Sequence, residues 1–193
     1  MKKKIKLIST FASLGLALAL MVFGVYAATS ASFKVTTNVS FTATQHVKAI
    51  VSVRETGKLN AAPQEADYGD AVTAGINVNV NGETTGDFDE NDHKDFELTG
   101  ATLDAQNVYY GYEVTIENLD KENELPVAIT AADKEGTQYT VTFTGEDATK
   151  IAAATESANG KIVITCVIQI TDLAGNAVEV DAADLELNVD LGA

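Results

Sequence analysis

The chain has 193 residues, with 28 acidic side chains against 13 basic ones, which gives a formal net charge of −15. A surface this acidic repels nucleic acid and anionic lipid, so composition argues against both as partners. The single cysteine cannot form an internal disulfide bond.

The first 27 residues have the pattern of a secretory signal peptide. Four lysines, at positions 2, 3, 4 and 6, precede an apolar stretch over 7–23, and residues 24–27 (Gly-Val-Tyr-Ala) end in the small side chain that signal peptidase requires. A retained membrane anchor is the alternative, because the stretch approaches the ~20 residues of a spanning helix. A polar, strand-like sequence begins right after Ala28, which favours cleavage after Ala27.

Cleavage after Ala27 leaves one domain, residues 28–193, with 9 basic residues against 28 acidic ones and a formal net charge of −19. We expect signal peptidase to be the partner during export. The mature chain is then expected to be secreted or held at the cell surface, without contact with the membrane. Because a single cysteine allows no internal disulfide bond, a Gram-positive-type envelope is expected rather than a eukaryotic secretory route.

Alternation of apolar and polar residues predicts that the mature chain consists almost entirely of strands. A period of two means one buried and one solvated face, as in antiparallel sheets. Eight or nine such strands with little helix predict an all-β fold, an antiparallel β-sandwich of the jelly-roll or immunoglobulin-like type. The predicted buried positions are Phe33, Val35, Val39, Phe41; Val47, Ala49, Val51, Val53; Ile76, Val78, Val80; Tyr110, Tyr112, Val114, Ile116; Tyr139, Val141, Phe143; and Leu185, Leu187, Val189, Leu191.

Residues 161–171 are apolar on one face and partly apolar on the other, which predicts a central strand. Ile164 and Cys166 lie on its alternating apolar face. Cys166 is therefore expected to be a small core residue. A nucleophilic role is the alternative, but the chain offers only two histidines as a base.

Turn signals separate the predicted strands. Two Asn-Gly pairs, at 81–82 and 159–160, can supply the positive φ angles of tight turns. An Ala-rich stretch, 147–158, is a candidate for one or two helical turns, and 61–74 is a second candidate. The remaining loop signals are Pro63, Pro126 and a hairpin loop over 172–176.

The signal end at 24–27, followed by the strand-like Ser-Phe-Lys-Val at 32–35, resembles the TasA/camelysin family of Firmicutes surface proteins. The stretch 112–118 (Tyr-Glu-Val-Thr-Ile-Glu-Asn), followed by Leu-Pro-Val at 125–127, is similar to a strand-turn-strand of that family. The resemblance implies a dedicated signal peptidase and a jelly-roll-like sandwich. For some members it also implies assembly into fibres of the extracellular matrix.

Camelysin-type members are associated with casein-cleaving metalloprotease activity, which does not carry over to these residues. The sequence has no His-Glu-x-x-His motif, and two isolated histidines cannot form a His-rich zinc site. His46 is expected at the start of a strand on the surface, and His93 in a solvated acidic loop. No Gly-x-Ser-x-Gly motif is present. We therefore expect a protein that is not an enzyme.

The acidic segment 87–97 carries oxygen side chains at alternate positions, the ligand type that calcium prefers. It departs from an EF-hand loop at position 6, where Asp92 replaces glycine, and at position 12, where Leu98 replaces glutamate. Two interpretations stand, a calcium loop or a solvated acidic loop, and no other cofactor is expected. The candidate ligands, at positions 1, 3, 5 and 9 of the loop, are Asp87, Asp89, Asn91 and Asp95.

Two functions from different classes fit these features. The leading one is a secreted, non-catalytic structural protein of the cell surface or biofilm matrix, which forms fibres through the strand at 32–42. The alternative is an extracellular binding module for a glycan or another envelope protein. Its aromatic platform would be Tyr109, Tyr110 and Tyr112, two of which fall on one strand face and are predicted to be core residues.

Overall fold

The computed structural model describes residues 32–74, 76–78, 84–136, 138–172, 180 and 184–193. The predicted signal peptide, the Asn-Gly pair at 81–82 and most of the 172–176 loop lie outside these residues. None of the described helices is long and apolar enough to cross a membrane.

Almost all regular structure in the described residues is strand, and a 3₁₀ turn forms at Glu65–Asp67. The strands are β1 (Ser32–Val35), β2 (Asn38–Ala43), β3 (Ala49–Glu55), β4 (Val72–Ala74), β5 (Ile76–Val78), β6 (Thr84–Gly86), β7 (His93–Glu97), β8 (Ala101–Asp104), β9 (Tyr109–Asn118), β10 (Leu125–Thr130), β11 (Lys134–Glu135), β12 (Tyr139–Thr144), β13 (Lys150–Ile151), β14 (Gly160–Ile170) and β15 (Leu187–Leu191).

Two large sheets face each other. One has five strands in the order β13-β10-β15-β2-β7, and the other has six in the order β11-β12-β14-β9-β3-β4. Two-stranded pairs, β1 with β8 and β5 with β6, complete the fold that the structure describes. Within this set the pairing of β15 with β2 is parallel, and the other strand pairings are antiparallel. The prediction of an all-β sandwich is confirmed.

The inward side chains of both sheets form one hydrophobic core. In the six-stranded sheet, β14 lies between β12 and β9, so the prediction of a central strand is confirmed. Ile164 pairs with Val114, and Cys166 pairs with Tyr112; all four side chains are fully buried. Alternation of apolar and polar residues in these two long strands supplies the inner face directly.

The first predicted strand divides into β1 and β2, because its two halves pair with different neighbours. β1 pairs with β8, whereas β2 lies between β15 and β7 in the five-stranded sheet. The predicted buried face is confirmed, since Phe33, Val35, Val39 and Phe41 are all fully buried. The N-terminal segment is thus an integral part of the core.

Several strands have no counterpart among the predicted ones. Residues 93–97 were predicted to lie in an acidic loop, and this prediction is wrong. Residues 93–97, including His93, form β7 at the edge of the five-stranded sheet. Only Phe96 of this strand is buried, so its sequence shows no apolar alternation. Charged, exposed side chains are typical of edge strands, where they discourage pairing with another chain.

Two turn predictions also need correction. Residues 147–158 contain the short strand β13 and no helix, whereas Pro126 lies beside a loop, as expected, at the second position of β10. Gly160 is not among the described glycines with positive φ. It begins β14 where a Cβ atom would lie 1.7 Å from the carbonyl oxygen of Ala152, so close backbone approach requires glycine there. The 61–74 candidate does contain a helical turn, the 3₁₀ element.

Candidate functional site

His46 lies between two carboxylates of the predicted calcium loop. Its Nδ1 atom is hydrogen-bonded to Asp89 Oδ1 at 3.0 Å, and its Nε2 atom is 2.8 Å from Asp87 Oδ1. The backbone brings them together, because Val47 and Phe88 exchange two hydrogen bonds, of 2.9 Å and 2.8 Å. His46 is exposed, as expected, but its acidic partners depend on this long-range pairing and had no signal in the sequence.

The next part of the loop is a turn closed by its own side chains. Asn91 has a φ of 74°, in the left-handed region that asparagine tolerates. Asp92 Oδ2 accepts a hydrogen bond of 3.0 Å from the backbone of Asp89. Both Asn91 and Asp92 are hydrogen-bonded through their backbones to Ala43 at the end of β2. The left-handed residue thus falls one position earlier than the glycine of an EF-hand loop, and Asp92 closes the turn.

Asp95 lies on the outer face of β7 with partners of its own. The hydroxyl of Ser40 donates a hydrogen bond of 2.6 Å to Asp95 Oδ1, and His93 Nε2 is 3.0 Å from Asp95 Oδ2. The bond from Ser40 and the proximity of His93 keep the pKa of Asp95 below its usual value. This carboxylate is therefore held in its charged form by the neighbouring strand.

The structure therefore brings Asp87 and Asp89 together at His46, and gives Asp95 and Asn91 different surroundings. Among the described residues, no group of three or more His, Cys, Asp or Glu side chains is arranged to hold a metal ion. The calcium loop remains a prediction that calcium titration of the mature protein would test.

A second carboxylate, Glu55 at the end of β3, is engaged by three donors. Its Oε1 atom accepts from the backbone of Thr99 at 3.0 Å, and Oε2 accepts from the backbone of Gly100 at 3.0 Å and from the hydroxyl of Tyr110 at 2.6 Å. Burial alone would raise the pKa of Glu55, but these hydrogen bonds outweigh burial and leave the pKa below its usual value. Glu55 thereby ties β3 to β9 and to the β7–β8 connection.

The only cysteine lies in the hydrophobic core, away from solvent. Cys166 is fully buried, and burial raises the pKa of its thiol. Its cross-strand neighbour Tyr112 is also fully buried, and the Tyr112 hydroxyl donates a hydrogen bond of 2.5 Å to the carbonyl oxygen of Leu185. The prediction that Cys166 is a core residue is confirmed.

A polar groove with a volume of about 240 Å³ lies between the 45–48 and 118–126 segments. One wall is fixed by Asn118, which is buried and hydrogen-bonded to the carbonyl oxygens of Asn123 and Ala152. No Phe or Tyr side chain lines this groove. The predicted aromatic cluster does not form a platform either, because two of its three tyrosines, Tyr110 and Tyr112, are fully buried, as the strand pattern predicted.

No protein-family model matches this chain, and no curated protein is significantly similar to it.

Proposed function

We propose that this chain is a secreted, non-catalytic structural protein of the cell surface or extracellular matrix of a Gram-positive-type bacterium, and that it assembles through its N-terminal strands. One observation carries the proposal. The first strands after the predicted cleavage site, β1 and β2, provide four fully buried core residues, and β2 is an inner strand of its sheet.

An inner strand at the end of a chain can be exchanged between molecules without threading the rest of the chain. When β2 leaves its sheet, a gap opens between β15 and β7. The β2 segment of a neighbouring molecule fits this gap because the two sequences are identical. The parallel register of Leu187–Leu191 with Val39–Ala43 and the antiparallel register with β7 would both be restored. The contacts that close the monomer could thus join two molecules.

Signal processing supplies a switch for this exchange. The signal peptide directly precedes β1, so the strands become a free chain end only after cleavage. The resemblance of residues 24–27 and 32–35 to the TasA/camelysin family supports this reading, since fibre-forming members assemble by a similar route. The mature net charge of −19 opposes assembly, so salt should strengthen assembly by screening the repulsion.

The surroundings of Cys166 and Glu55 support a non-catalytic role. The thiol of Cys166 is buried, and the carboxylate of Glu55 is occupied by backbone and tyrosine donors. The alternative binding module would depend on Tyr109, which is half-buried and whose backbone pairs with Leu59. Loss of a saturable glycan-array signal on Tyr109→Ala would favour that alternative.

Electron microscopy of the mature protein, residues 28–193, across a series of salt concentrations tests the proposal. We expect fibres that increase with ionic strength, and none from a chain that begins at residue 44. A synthetic peptide of residues 28–43 should bind the truncated chain, whereas a peptide carrying Val39→Asp and Phe41→Asp should not. Monomers at every salt and protein concentration would contradict the proposal.

A further inference from the structure

Residues 44–48 connect β2 of the five-stranded sheet to β3 of the six-stranded sheet. Any exchange of β1 and β2 between molecules must change the conformation of this connection, because β3 stays in its own molecule while β2 enters another. The hydrogen bonds of the connection indicate where that change falls.

The first part of the connection is bound to the end of β15. The backbone N–H and the hydroxyl of Thr44 both donate to the carbonyl oxygen of Leu191, at 3.0 Å and 3.3 Å. The side-chain amide of Gln45 donates to the carbonyl oxygen of Gly192 at 3.1 Å. Since β15 lines the gap that β2 fills, Thr44 and Gln45 meet the same partners when β2 enters the gap of a neighbour.

The last part of the connection is bound to parts of the domain that do not move with β2. Val47 exchanges two backbone hydrogen bonds with Phe88, and the carbonyl oxygen of Lys48 accepts a hydrogen bond of 2.8 Å from the backbone of Leu119. Phe88 and Leu119 lie outside the exchanged segment, so these bonds stay within one molecule. His46 is the residue between the two sets of bonds.

We propose that Gln45 and His46 form a hinge on which β1 and β2 open as one unit, an inference that rests on the proposed strand exchange. The contacts of β1, β2 and Thr44 are the same in the closed monomer and in the assembly. They therefore cancel when the free energies of the two states are compared. The hinge has a different conformation in each state, so its length sets the balance between them.

The length of the connection is close to what the closed monomer needs. The extended chain from Ala43 to Ala49 reaches about 20 Å, whereas packed sheets are ~10 Å apart and the connection also turns to meet β15. Without the two hinge residues the same chain reaches only about 13 Å. A short, strained hinge favours exchange, and a longer hinge favours the closed monomer.

Hydrogen exchange of two backbone amides in the monomer, measured by nuclear magnetic resonance, locates the hinge. The amides of Thr44 and Val47 have hydrogen bonds of similar length, 3.0 Å and 2.9 Å, on opposite sides of it. In mild denaturant we expect Thr44 to lose protection in the same step as the β2 amides, while Val47 stays protected with β3. Loss of protection at Thr44 and Val47 in one step would overturn the inference and leave the proposed function intact.

Two insertions of equal length test the effect of the hinge on assembly. The sequence Gly-Ser-Gly is inserted after Gln45 in the mature protein, and the control carries it after Asp147. Asp147 lies in the connection between β12 and β13, which has the same length and also crosses between the two sheets. Thermal melting checks that both variants fold, and electron microscopy across a salt series measures fibre formation.

We expect the insertion after Gln45 to shift fibre formation to higher salt, and the control to assemble like the wild type. Deletion of Gln45 and His46 should shift fibre formation to lower salt. Equal fibre formation by the two insertion variants would overturn the hinge and leave the proposed function intact. Absence of fibres from every chain would contradict the proposed function, and the Thr44 and Val47 amides then decide the hinge alone.

Discussion

The two sheets share one core but take their strands from different parts of the chain. The centre of the six-stranded sheet is β9 and β14, two long strands from the middle and later parts of the sequence that pair over ten residues. The five-stranded sheet joins the two ends of the described chain, because β2 pairs with β15 in parallel. One sheet is therefore complete without the N-terminal segment, and the other is not.

This difference indicates where the molecule can open. Removing β2 separates β7 from β15 and leaves both with unpaired backbone groups, while the centre of the six-stranded sheet keeps its pairing. We therefore propose the N-terminal segment as the element that is exchanged between molecules. The predictions below test whether the two sheets respond as differently as their topology implies.

The largest effect is expected in β2 itself. Phe41 is fully buried and contacts Phe96 of β7 edge to face, with ring centroids 5.7 Å apart. Phe41→Ala should lower the free energy of unfolding by about 3–5 kcal/mol. Hydrogen exchange should accelerate first in the five-stranded sheet. Thr42→Ala, at the exposed neighbouring position, is the matched control, and a similar loss in both variants would show that β2 is misplaced.

A similar truncation in the other sheet should act differently. Ile164→Ala, in the centre of β14, should cost about 2–5 kcal/mol. Because β14 and β9 form the interior of the six-stranded sheet, we expect hydrogen exchange to accelerate throughout the domain rather than in one sheet. Denaturant unfolding measures the loss of stability, and hydrogen-exchange mass spectrometry locates the residues whose exchange accelerates. The control is Lys161→Ala, at an exposed position of β14. Accelerated hydrogen exchange confined to the five-stranded sheet would contradict this prediction.

Loss of the hydrogen bond that joins the two sheets should have a smaller effect on stability. Tyr112 of β9 donates its hydrogen bond to Leu185, just before β15. Tyr112→Phe keeps the ring but leaves a buried carbonyl oxygen without its donor, which should cost about 1–3 kcal/mol. Chemical denaturation measures the loss. A variant as stable as the wild type would mean that the two sheets are held together by apolar packing alone.

The smallest effect depends on pH. The folded-state pKa of Glu55 is below its usual value, so Glu55 stabilises the fold above its unfolded pKa of about 4.3. This stabilisation disappears as pH falls through the lower folded pKa. The stability difference between wild type and Glu55→Gln should therefore be present at pH 6 and shrink below about pH 4. A stability difference that does not change with pH would exclude Glu55 as the source of the pH dependence.

Alternation of apolar and polar residues predicted the inner faces of the long strands well. Phe33, Phe41, Tyr112 and Ile164 are all buried as expected, because a period of two needs no knowledge of the neighbouring strand. Edge strands such as β7 were missed, since a strand with one solvated edge and charged side chains shows little alternation.

The candidate site was less predictable than the fold. Asp87 and Asp95 were identified as oxygen donors, but their partners His46 and Ser40 come from other segments of the chain. Such pairs are set by strand register and by the Val47–Phe88 bridge, which local sequence patterns do not encode. The network around Glu55 was missed for the same reason.

A reversible disulfide bond between β2 and β7, which we call the β2 lock, is the most direct test of assembly through the N-terminal strands. Thr42 and His93 are paired directly across β2 and β7, within the distance range that a disulfide bond can span. Thr42→Cys with His93→Cys would hold the strand in its own sandwich, and the buried Cys166 would not interfere. The control lock, Ala128→Cys with Asp190→Cys, joins β10 to β15 and leaves β2 free.

Fibre formation by the mature protein is then compared under oxidising and reducing conditions by electron microscopy. We predict that the oxidised β2 lock stays monomeric in salt that turns the wild type into fibres, and that reduction restores assembly. The control lock should assemble in both states. Fibres from the oxidised β2 lock, equal to those of the wild type, would contradict assembly through the N-terminal strands.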